Sequence, residues 1–257
     1  MTDEQHDSLK RTKAIDDFLK AVYFLQRQTD RVSTTDLAQT LQITAPSVTD
    51  MVKRLAGIED DKDKDKDKDK KPKHDHEEHR EEHKIAVPLL EYKRYSGVRL
   101  SPAGEKIALE VIRHHRLIEL YLVQALGYSW DEVHEEADRL EHHISEKLEA
   151  RIAAALGNPK IDPHGDPIPA LDGTILPRTL ISLADLTVGQ EAVVSQIVDQ
   201  SADVLRFLSD LGLTPGTGIT LSQRSPLNDM VSIKLGEKVH TISMQVAQMV
   251  LVTPQNR

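Results

Sequence analysis

The stretch "STTDLAQTLQITAPSVTDMVKRLA", residues 33–56, decides the fold of the N-terminal part of the chain. It holds two short segments with apolar residues at helical spacing, separated by a polar turn. Ser33 or Thr34 can accept hydrogen bonds from the unpaired N–H groups at the start of the first helix. Pro46 is tolerated in the first turn of the second helix. The stretch therefore predicts two short helices joined by a tight turn.

The elements on either side of this helix pair extend the pattern. Residues 12–28 place apolar side chains at helical spacing and predict a preceding helix. Two runs with alternating apolar residues flank the turn at Tyr95 to Gly97 and predict a β-hairpin. This order is typical of a winged helix-turn-helix, whose second helix enters the major groove of DNA. A helical hairpin with ordinary solvated charges remains the alternative.

The outward side chains of the second helix and the basic hairpin residues are candidates for contact with double-stranded DNA. Hydroxyl groups can bond base edges or phosphates, and Lys and Arg can bind phosphates. The net charge of −9 argues against indiscriminate binding to nucleic acid, so two copies held at a fixed spacing in a homodimer are expected. The candidates are Thr44, Pro46, Ser47, Thr49, Asp50, Lys53, Arg54, Lys93 and Arg94.

The remainder of the chain predicts a helical region followed by a β region. A long amphipathic helix covers about 102–126, and a further helical region covers about 129–156. Residues 157–173 form a connector rich in Pro, Gly and Asp. From about residue 178 onward, short β-type runs alternate with Gly and Pro turns, which predicts a separate small barrel.

One row of acidic and imidazole side chains stands out in the second helical region. His134, Asp138, Glu141 and His142 are spaced i, i+4, i+7 and i+8, so on a helix they share one face beside an apolar stripe. The border of a core-facing surface is unfavourable for bare charge and favourable for a bound cation. A solvated face with ordinary i, i+4 pairs remains the alternative.

The preceding helix offers partners for this row. His115 and Glu119 are spaced i, i+4, and antiparallel packing would bring them to His134. Oxygen and imidazole ligands without sulfur suit Mn(II) or Fe(II), and they also accept Zn(II) and Co(II). The other group would hold Asp138, Glu141 and His142.

Composition excludes several classes of protein. The chain has no cysteine, which excludes disulfides, thiolate metal sites and cysteine nucleophiles. No apolar run approaches the ~20 residues of a membrane span, and the N-terminal stretch lacks the apolar core of a signal peptide. We therefore expect a cytoplasmic protein without a membrane partner. Nothing resembles a nucleophile–base pair, so we do not expect an enzyme.

Residues 57–89 interrupt the winged helix. Within them, residues 57–84 contain an alternating Lys-Asp run and a His/Glu-rich tail with almost no apolar residues, which predicts a disordered insertion. The simplest interpretation is a tolerated loop. The alternative is a weak metal-collecting arm that uses His74, His76, His79 and His83.

Four motifs together resemble the diphtheria toxin repressor family. They are "APSVTDMVKRLA", "YKRYSGVRLSPAGEKIALEVIRHHRLIELYL", "WDEVHEEADRLEHHIS" and "DPHGDPIP". The resemblance runs from about residue 10 to the C-terminus, apart from the insertion. Members of that family are metal-dependent transcriptional repressors with iron-sensing and manganese-sensing branches.

The resemblance implies an α+β multidomain fold with three folded parts. These are an N-terminal winged helix-turn-helix, a helical dimerisation domain that binds metal, and a C-terminal SH3-like small β-barrel. The expected bounds are residues 1–101, 102–170 and 178–257, with a linker at 171–177.

The resemblance also implies two groups of metal ligands. His115, Glu119 and His134 match the family's ancillary site, and Asp203 is the residue of the barrel that we expect to complete it. The primary site is matched by Asp17, Asp138, Glu141 and His142.

The identity of two of these ligands favours manganese. Iron sensors of the family have Met at the position of Asp17 and Cys at that of Asp138, whereas manganese sensors have carboxylates. Mn(II) is therefore the expected cofactor, with Fe(II) as the alternative and Zn(II) or Co(II) as surrogates. Lys20 departs from the pattern, because manganese sensors place a further carboxylate there.

The function implied is that of a repressor whose corepressor is the metal. The bound cation would fix the dimer for a palindromic operator and silence metal-uptake genes. The alternatives are an iron-selective regulator, a metal-storage or trafficking protein that uses the His-rich arm, and a metalloenzyme.

Overall fold

The computed structural model describes residues 12–58 and 87–255. The chain forms two compact units, one ending at Val111 and one beginning at Ile112. The four histidines of the predicted metal-collecting arm lie outside the described residues. Within the ranges described, no helix is long and apolar enough to cross a membrane.

The N-terminal unit consists of helices packed against a two-stranded hairpin, in the predicted order. Its core is built from the apolar residues that recur at helical spacing in the first three helices and from the inward side chains of the hairpin. The elements are α1 (Lys13–Gln26), α2 (Thr34–Leu41), α3 (Ala45–Ala56), β1 (Leu90–Lys93), β2 (Gly97–Leu100) and the start of α4 (Pro102–Leu126).

Both helices of the helix-turn-helix begin at side-chain caps. The Ser33 hydroxyl accepts from the N–H of Asp36 at 3.0 Å, and the Thr44 hydroxyl accepts from the N–H of Ser47 at 3.3 Å. Each cap satisfies one of the N–H groups that a helix leaves unpaired at its start. Pro46 lies in the first turn of α3, as predicted.

The hairpin also pairs with Val32, which lies two residues before the start of α2. β1 and β2 pair antiparallel, and Val98 also exchanges both backbone hydrogen bonds with Val32, at 2.8 and 2.9 Å. Gly97 has a φ of +95°, and a Cβ at this position would lie 2.2 Å from the carbonyl oxygen of Val32. The close approach of the two backbones therefore requires glycine.

The two sides of the insertion are joined by direct backbone contact. The N–H of Leu89 donates to the carbonyl of Leu55 in α3 at 2.8 Å, and the carbonyl of Leu89 accepts from Ser101 at 3.0 Å. A Cβ on Gly104 would lie 2.1 Å from the same Leu89 carbonyl. The end of α3, the start of the hairpin and the start of α4 are thus fixed to one another.

The C-terminal unit contains the rest of α4, which extends to Leu126 as predicted, and two shorter helices, α5 (Val133–Leu140) and α6 (Glu146–Ala155). The predicted helical region over about 129–156 consists of these two helices with a turn between them, a division that the sequence analysis did not give. Ser145 caps α6 by accepting from the N–H of Leu148 at 3.3 Å. A Ser with acidic residues in the following turn is a start signal that helical periodicity alone does not reveal.

A six-stranded antiparallel sheet in the order β3-β8-β4-β5-β6-β7 follows the connector. Its core is aliphatic and joins the strands to the two helices. A ten-residue helix, α7 (Ala202–Leu211), interrupts the strands. The elements are β3 (Ile181–Ser182), β4 (Glu191–Ile197), α7 (Ala202–Leu211), β5 (Gly218–Ser225), β6 (Met230–Leu235), β7 (Lys238–Ser243), α8 (Met244–Met249) and β8 (Val250–Pro254).

We expect Gly97→Ala to destabilise the N-terminal unit by more than about 2 kcal/mol, because the added Cβ meets a backbone oxygen that cannot move without breaking the Val32–Val98 pairing. Gly57→Ala is the matched control, since Gly57 also has a positive φ of +66° but a Cβ there only reaches Pro88 at 3.6 Å. The control should cost about 1 kcal/mol. Urea denaturation measures both; equal losses would contradict the clash.

Candidate metal centre

Two helices and the turn after them supply most of the predicted ligands. His115 and Glu119 lie one turn apart on α4, and both are buried. His134 and Asp138 lie one turn apart on α5, with side chains about half exposed. Glu141 follows the last residue of α5 and is buried. The backbone of Glu141 is still helical, and its N–H donates to the carbonyl of Ala137 at 2.9 Å.

We use the name helix cluster for His115, Glu119, His134, Asp138 and Glu141. The imidazole of His115 lies at its centre, since its Nε2 is 2.9 Å from Glu119 Oε1 and 3.1 Å from His134 Nδ1. Its Nδ1 is 2.5 Å from Glu141 Oε2 and 3.2 Å from Asp138 Oδ1. The structure therefore brings together the residues of both predicted groups, and His115 is common to them.

The other predicted ligands lie at the border of this cluster or apart from it. His142 has a nearly buried side chain whose Nε2 lies 3.2 Å from Glu141 Oε1. Asp17 lies on α1 in the N-terminal unit. Asp203 is not brought to the cluster: it lies in the first turn of α7 with 94% of its side chain exposed, and it pairs with Arg206 at 2.6 Å. The role of Asp203 in the ancillary group therefore stays a prediction that no contact of the described structure supports.

A second group of potential ligands, which we call the loop cluster, consists of Glu119, Asp162 and His164. One ligand atom of each lies within 4.8 Å of the others, and all three residues are buried. The Oε2 atom of Glu119 faces His164 Nδ1 at 3.6 Å, while its Oε1 faces the helix cluster. Glu119, only 1% exposed, therefore belongs to both clusters.

The ring of His164 is oriented so that its Nδ1 can serve as a ligand. Nε2 donates to the backbone carbonyl of Trp130 at 2.7 Å, and a carbonyl only accepts, so the proton of the neutral ring is on Nε2. Nδ1 then carries a lone pair, and it is buried without a hydrogen-bond partner. A carbonyl that fixes the tautomer of an imidazole is the usual outer partner of a metal-bound histidine.

Charges in the helix cluster are strongly coupled. Although burial opposes ionisation, the charge of His115 holds the pKa of Glu119 well below its usual range. Burial likewise opposes protonation of His115, but Glu119, Asp138 and Glu141 together raise its pKa to about 10. Without a cation, a proton on His115 therefore balances the surrounding carboxylates.

In the loop cluster the carboxyl group of Asp162 has a raised pKa, in contrast to the lowered pKa of Glu119. Burial and the nearby carboxylates of Asp166 and Glu119 raise the pKa of Asp162 to about 7, against the opposing charge of Arg116. Burial opposes protonation of His164, yet the Glu119 carboxylate raises the pKa of this ring as well. Several buried carboxylates and imidazoles that face one another are a favourable environment for a divalent cation.

Sequence reasoning missed Asp162 and His164 as ligands. The motif "DPHGDPIP" carries an acid and an imidazole two residues apart, and this spacing in a tight turn was the available signal. Because Asp162 and His164 are distant from Glu119 in sequence, the sequence did not indicate that they lie beside it. Only the folded connector brings this turn to the side of α4.

The residues predicted to contact DNA lie on α3, at its N-cap and in the hairpin of the N-terminal unit. The candidates on α3 are exposed, except Lys53, which is half-buried. All three candidate hydroxyls already have local partners: Thr44 caps α3, the Ser47 hydroxyl bonds that of Thr44 at 2.8 Å, and Thr49 donates to the carbonyl of Ala45 at 2.9 Å. Lys93 and Arg94 are exposed at the hairpin, where the Arg94 guanidinium lies 4.9 Å from the centre of the Tyr95 ring.

Three family descriptions match successive parts of the chain. "Iron dependent repressor, N-terminal DNA binding domain" matches residues 10–59, and "Iron dependent repressor, metal binding and dimerisation domain" matches residues 101–170. "FeoA domain" matches residues 181–254. The predicted order of winged helix, helical dimerisation domain and SH3-like domain is confirmed.

Individual relatives agree with this assignment. The iron-dependent repressor IdeR of Mycobacterium leprae (strain TN) is 33% identical over 165 residues, which are 60% of this chain and 71% of that protein. A solved structure described as a manganese-dependent transcriptional repressor in complex with manganese is 30% identical, with a TM-score of 0.75 over 94% of this chain and 100% of that chain. The structure of ScaR with bound Zn²⁺ is 27% identical, with a TM-score of 0.67 over 95% and 99%.

The sequence, the fold and the clusters on α4 and α5 lead to one assignment. The expectation of a regulator in place of an enzyme is confirmed, and operator DNA and a homodimer follow from the matched domains. The chain belongs to the diphtheria toxin repressor family and is a metal-dependent, DNA-binding transcriptional repressor.

Proposed function

We propose that Mn(II) is the corepressor of this protein and that both clusters bind it. The single observation that carries the proposal is the pair of buried clusters that share Glu119, in which every donor atom is a carboxylate oxygen or an imidazole nitrogen. Such donors suit Mn(II) and Fe(II), and the chain has no cysteine to favour a softer ion. Fe(II) is the alternative, and Zn(II) and Co(II) are surrogates.

The proposed ligands fall into two sites, and each site takes residues from the helix cluster. The first uses Asp138 and Glu141 of the helix cluster, with His142 and Asp17 as further predicted ligands. The second joins His115 and His134 of the helix cluster to Asp162 and His164 of the loop cluster through the shared residue Glu119. The distances among the side chains of the C-terminal unit support this grouping.

A bound cation supplies positive charge where the metal-free protein relies on protons. Glu119, Asp138 and Glu141 then keep their negative charge without a proton on His115, and the helices that carry them are held in one arrangement. A cation that binds one arrangement better than another shifts the population toward it. We propose that the favoured arrangement is the homodimer competent for a palindromic operator, and that the regulated genes encode metal uptake.

Operator binding followed by fluorescence anisotropy tests the proposal directly. Mn(II), anaerobic Fe(II), Zn(II) and Co(II) are titrated separately against a palindromic operator from a metal-uptake promoter. Activation by Mn(II) at the lowest concentration supports the manganese assignment, and activation by Fe(II) alone supports the iron-selective alternative. Many bound ions per chain with no effect on DNA binding would indicate a storage or trafficking protein.

We expect Glu119→Gln to weaken Mn(II)-dependent operator binding by at least about tenfold, because the change removes charge from both clusters at once. Glu135→Gln is the matched control: Glu135 lies on α5 with 86% of its side chain exposed and forms an ion pair with Arg139 at 3.7 Å. Anisotropy at fixed Mn(II) measures both variants. Full metal-dependent binding by the Glu119 variant, folded by circular dichroism, would refute the shared site.

We expect the affinity for Mn(II) to rise with pH, and to rise more steeply below pH 7 than above it. Asp162 has a pKa of about 7, so it must lose a proton to bind a cation at lower pH but is already ionised at higher pH. The extra slope is at most about tenfold per pH unit. Competition with a fluorescent chelator between pH 6 and 8 measures it. Asp162→Asn should bind more weakly and lose the change of slope; an unchanged profile would contradict this assignment.

We expect Arg54→Gln to weaken operator binding at all salt concentrations and to reduce the slope of log K against log salt by about one. The side chain of Arg54 is exposed at the C-terminal end of α3, where it can reach a phosphate. Arg139→Gln on the exposed face of α5 is the control and should leave the slope unchanged. An equal slope for wild type and the Arg54 variant would show that Arg54 does not contact a DNA phosphate.

A further inference from the structure

The loop that carries Asp162 and His164 is bonded to strand β4 as well as to α4. We call residues 162–168 the ligand loop. The N–H of Ile197 in β4 donates to the carbonyl of His164 at 2.9 Å. Gly165 has a φ of +91°, and a Cβ on it would lie 2.1 Å from the carbonyl oxygen of Ser195. The ligand loop and β4 are thus in backbone contact.

An irregularity in β4 makes this contact possible. The pairing of β4 with β8 shifts register between Val194 and Gln196, so Ser195 is the extra residue of a bulge. Its carbonyl accepts from Arg178 at 3.0 Å, and the same guanidinium donates to the carbonyl of Gly165. The bulge therefore turns backbone groups of the strand toward the ligand loop.

Asp166 is the only residue of the ligand loop whose side chain joins both sides in the described structure. Its Oδ1 accepts from Arg116 on α4 at 3.2 Å and from Gln196 on β4 at 3.0 Å. Its Oδ2 accepts from Gln200, just before α7, at 2.5 Å. A buried carboxylate is costly unless it is paired and hydrogen-bonded, and these three donors meet that need. Asp166 is not a member of either cluster.

The backbone of Asp166 shapes the cation site itself. Its N–H and that of His164 both donate to Oδ1 of Asp162, each at 2.9 Å. Its carbonyl accepts from the N–H of Asp162 at 2.9 Å. The conformation that presents Asp162 and His164 to Glu119 is therefore the same conformation that presents Asp166 to β4.

Arg116 gives the Asp166 side chain a second role. The guanidinium lies between two carboxylates, with Nη2 3.2 Å from Asp166 Oδ1 and Nε 3.6 Å from Asp162 Oδ2. Without the charge of Asp166, Arg116 has Asp162 as its remaining anionic partner among these contacts. A guanidinium paired with Asp162 competes with a cation for that carboxylate.

We propose that Asp166 is a positioning residue for the loop cluster. It keeps Arg116 from pairing fully with Asp162. It also bonds the ligand loop to β4, so that cation binding restrains the six-stranded sheet. The proposal rests on the proposed function of the loop cluster as a Mn(II) site. Asp166 acts through Arg116, Gln196 and Gln200 and does not contact the cation.

The test uses the full-length chain, with Mn(II) alone as the probe and Trp130 as the reporter. Trp130 is the only tryptophan of the chain; its carbonyl accepts from His164, and its ring lies 5.7 Å from the imidazole of His164. Mn(II) titrations followed by Trp130 fluorescence therefore report on the loop cluster. Hydrogen exchange of the peptide spanning residues 191–198, which contains the Ile197 amide, reports on β4.

In the wild type we expect Mn(II) to change Trp130 fluorescence and to slow exchange of the Ile197 amide. Asp166→Asn should weaken Mn(II) binding by about tenfold and abolish the slowing of exchange. Asp210→Asn makes the same chemical change at an exposed position of α7 and should behave as the wild type. Wild-type affinity together with wild-type protection in Asp166→Asn would overturn the proposal.

A double variant separates positioning from general damage. If Asp166 acts by restraining Arg116, then Arg116→Gln added to Asp166→Asn recovers most of the lost Mn(II) affinity. A purely structural role predicts a further loss instead, and that result would overturn the proposal. Gln200→Ala removes one donor and no charge, so it should keep Mn(II) affinity within about twofold and lose part of the protection at Ile197.

Failure of the inference and failure of the proposed function give different results. If wild-type protein shows neither a fluorescence change nor bound Mn(II), the loop cluster is not a Mn(II) site, and both proposals fall. If wild type responds and Asp166→Asn responds identically, the Mn(II) site stands and only the role of Asp166 is refuted.

Discussion

The contacts of the buried Glu119 carboxylate are the interactions on which the rest of the candidate metal centre depends. Its two oxygens face opposite ways, one toward His115 and His134 and the other toward His164. An isolated ionised carboxylate is very costly inside a protein, so Glu119 is stable only with positive charge on both sides. The same requirement orders α4, α5 and the ligand loop around one residue, and it explains why protons or cations must occupy this region.

His115 makes the two sides of the helix cluster chemically dependent on each other. One ring nitrogen faces Glu119, and the other faces Glu141 and Asp138. An imidazole that binds a cation through one nitrogen carries its proton on the other, where it is a hydrogen-bond donor. A cation bound on one side of His115 would therefore set which nitrogen is available on the other side. Binding on the two sides would then be coupled, and the coupling would be reciprocal.

Sequence reasoning succeeded where local chemistry determines structure and failed where distant segments meet. The caps of α2 and α3 and the turn before β2 follow from residue types at fixed offsets. Helical periodicity found His115 with Glu119 and His134 with Asp138, since i, i+4 spacing places each pair on one face of its own helix. It missed the end of α5, because apolar spacing continues across the turn. Neither periodicity nor the resemblance, from which Asp203 was named, indicated His164, since nothing local says which part of a connector returns to α4.

The backbone contact between Leu55 and Leu89 has a consequence for how this family member tolerates change. Because α3, the hairpin and α4 are fixed to one another through Leu89, the length of chain between these two leucines does not set the geometry of the DNA-reading surface. Closing a loop twice as long costs only about 0.6 kcal/mol. This position is therefore a natural point of entry for engineering, where a tag, a fluorescent domain or a second binding module can be added while the recognition helix and wing keep their spacing.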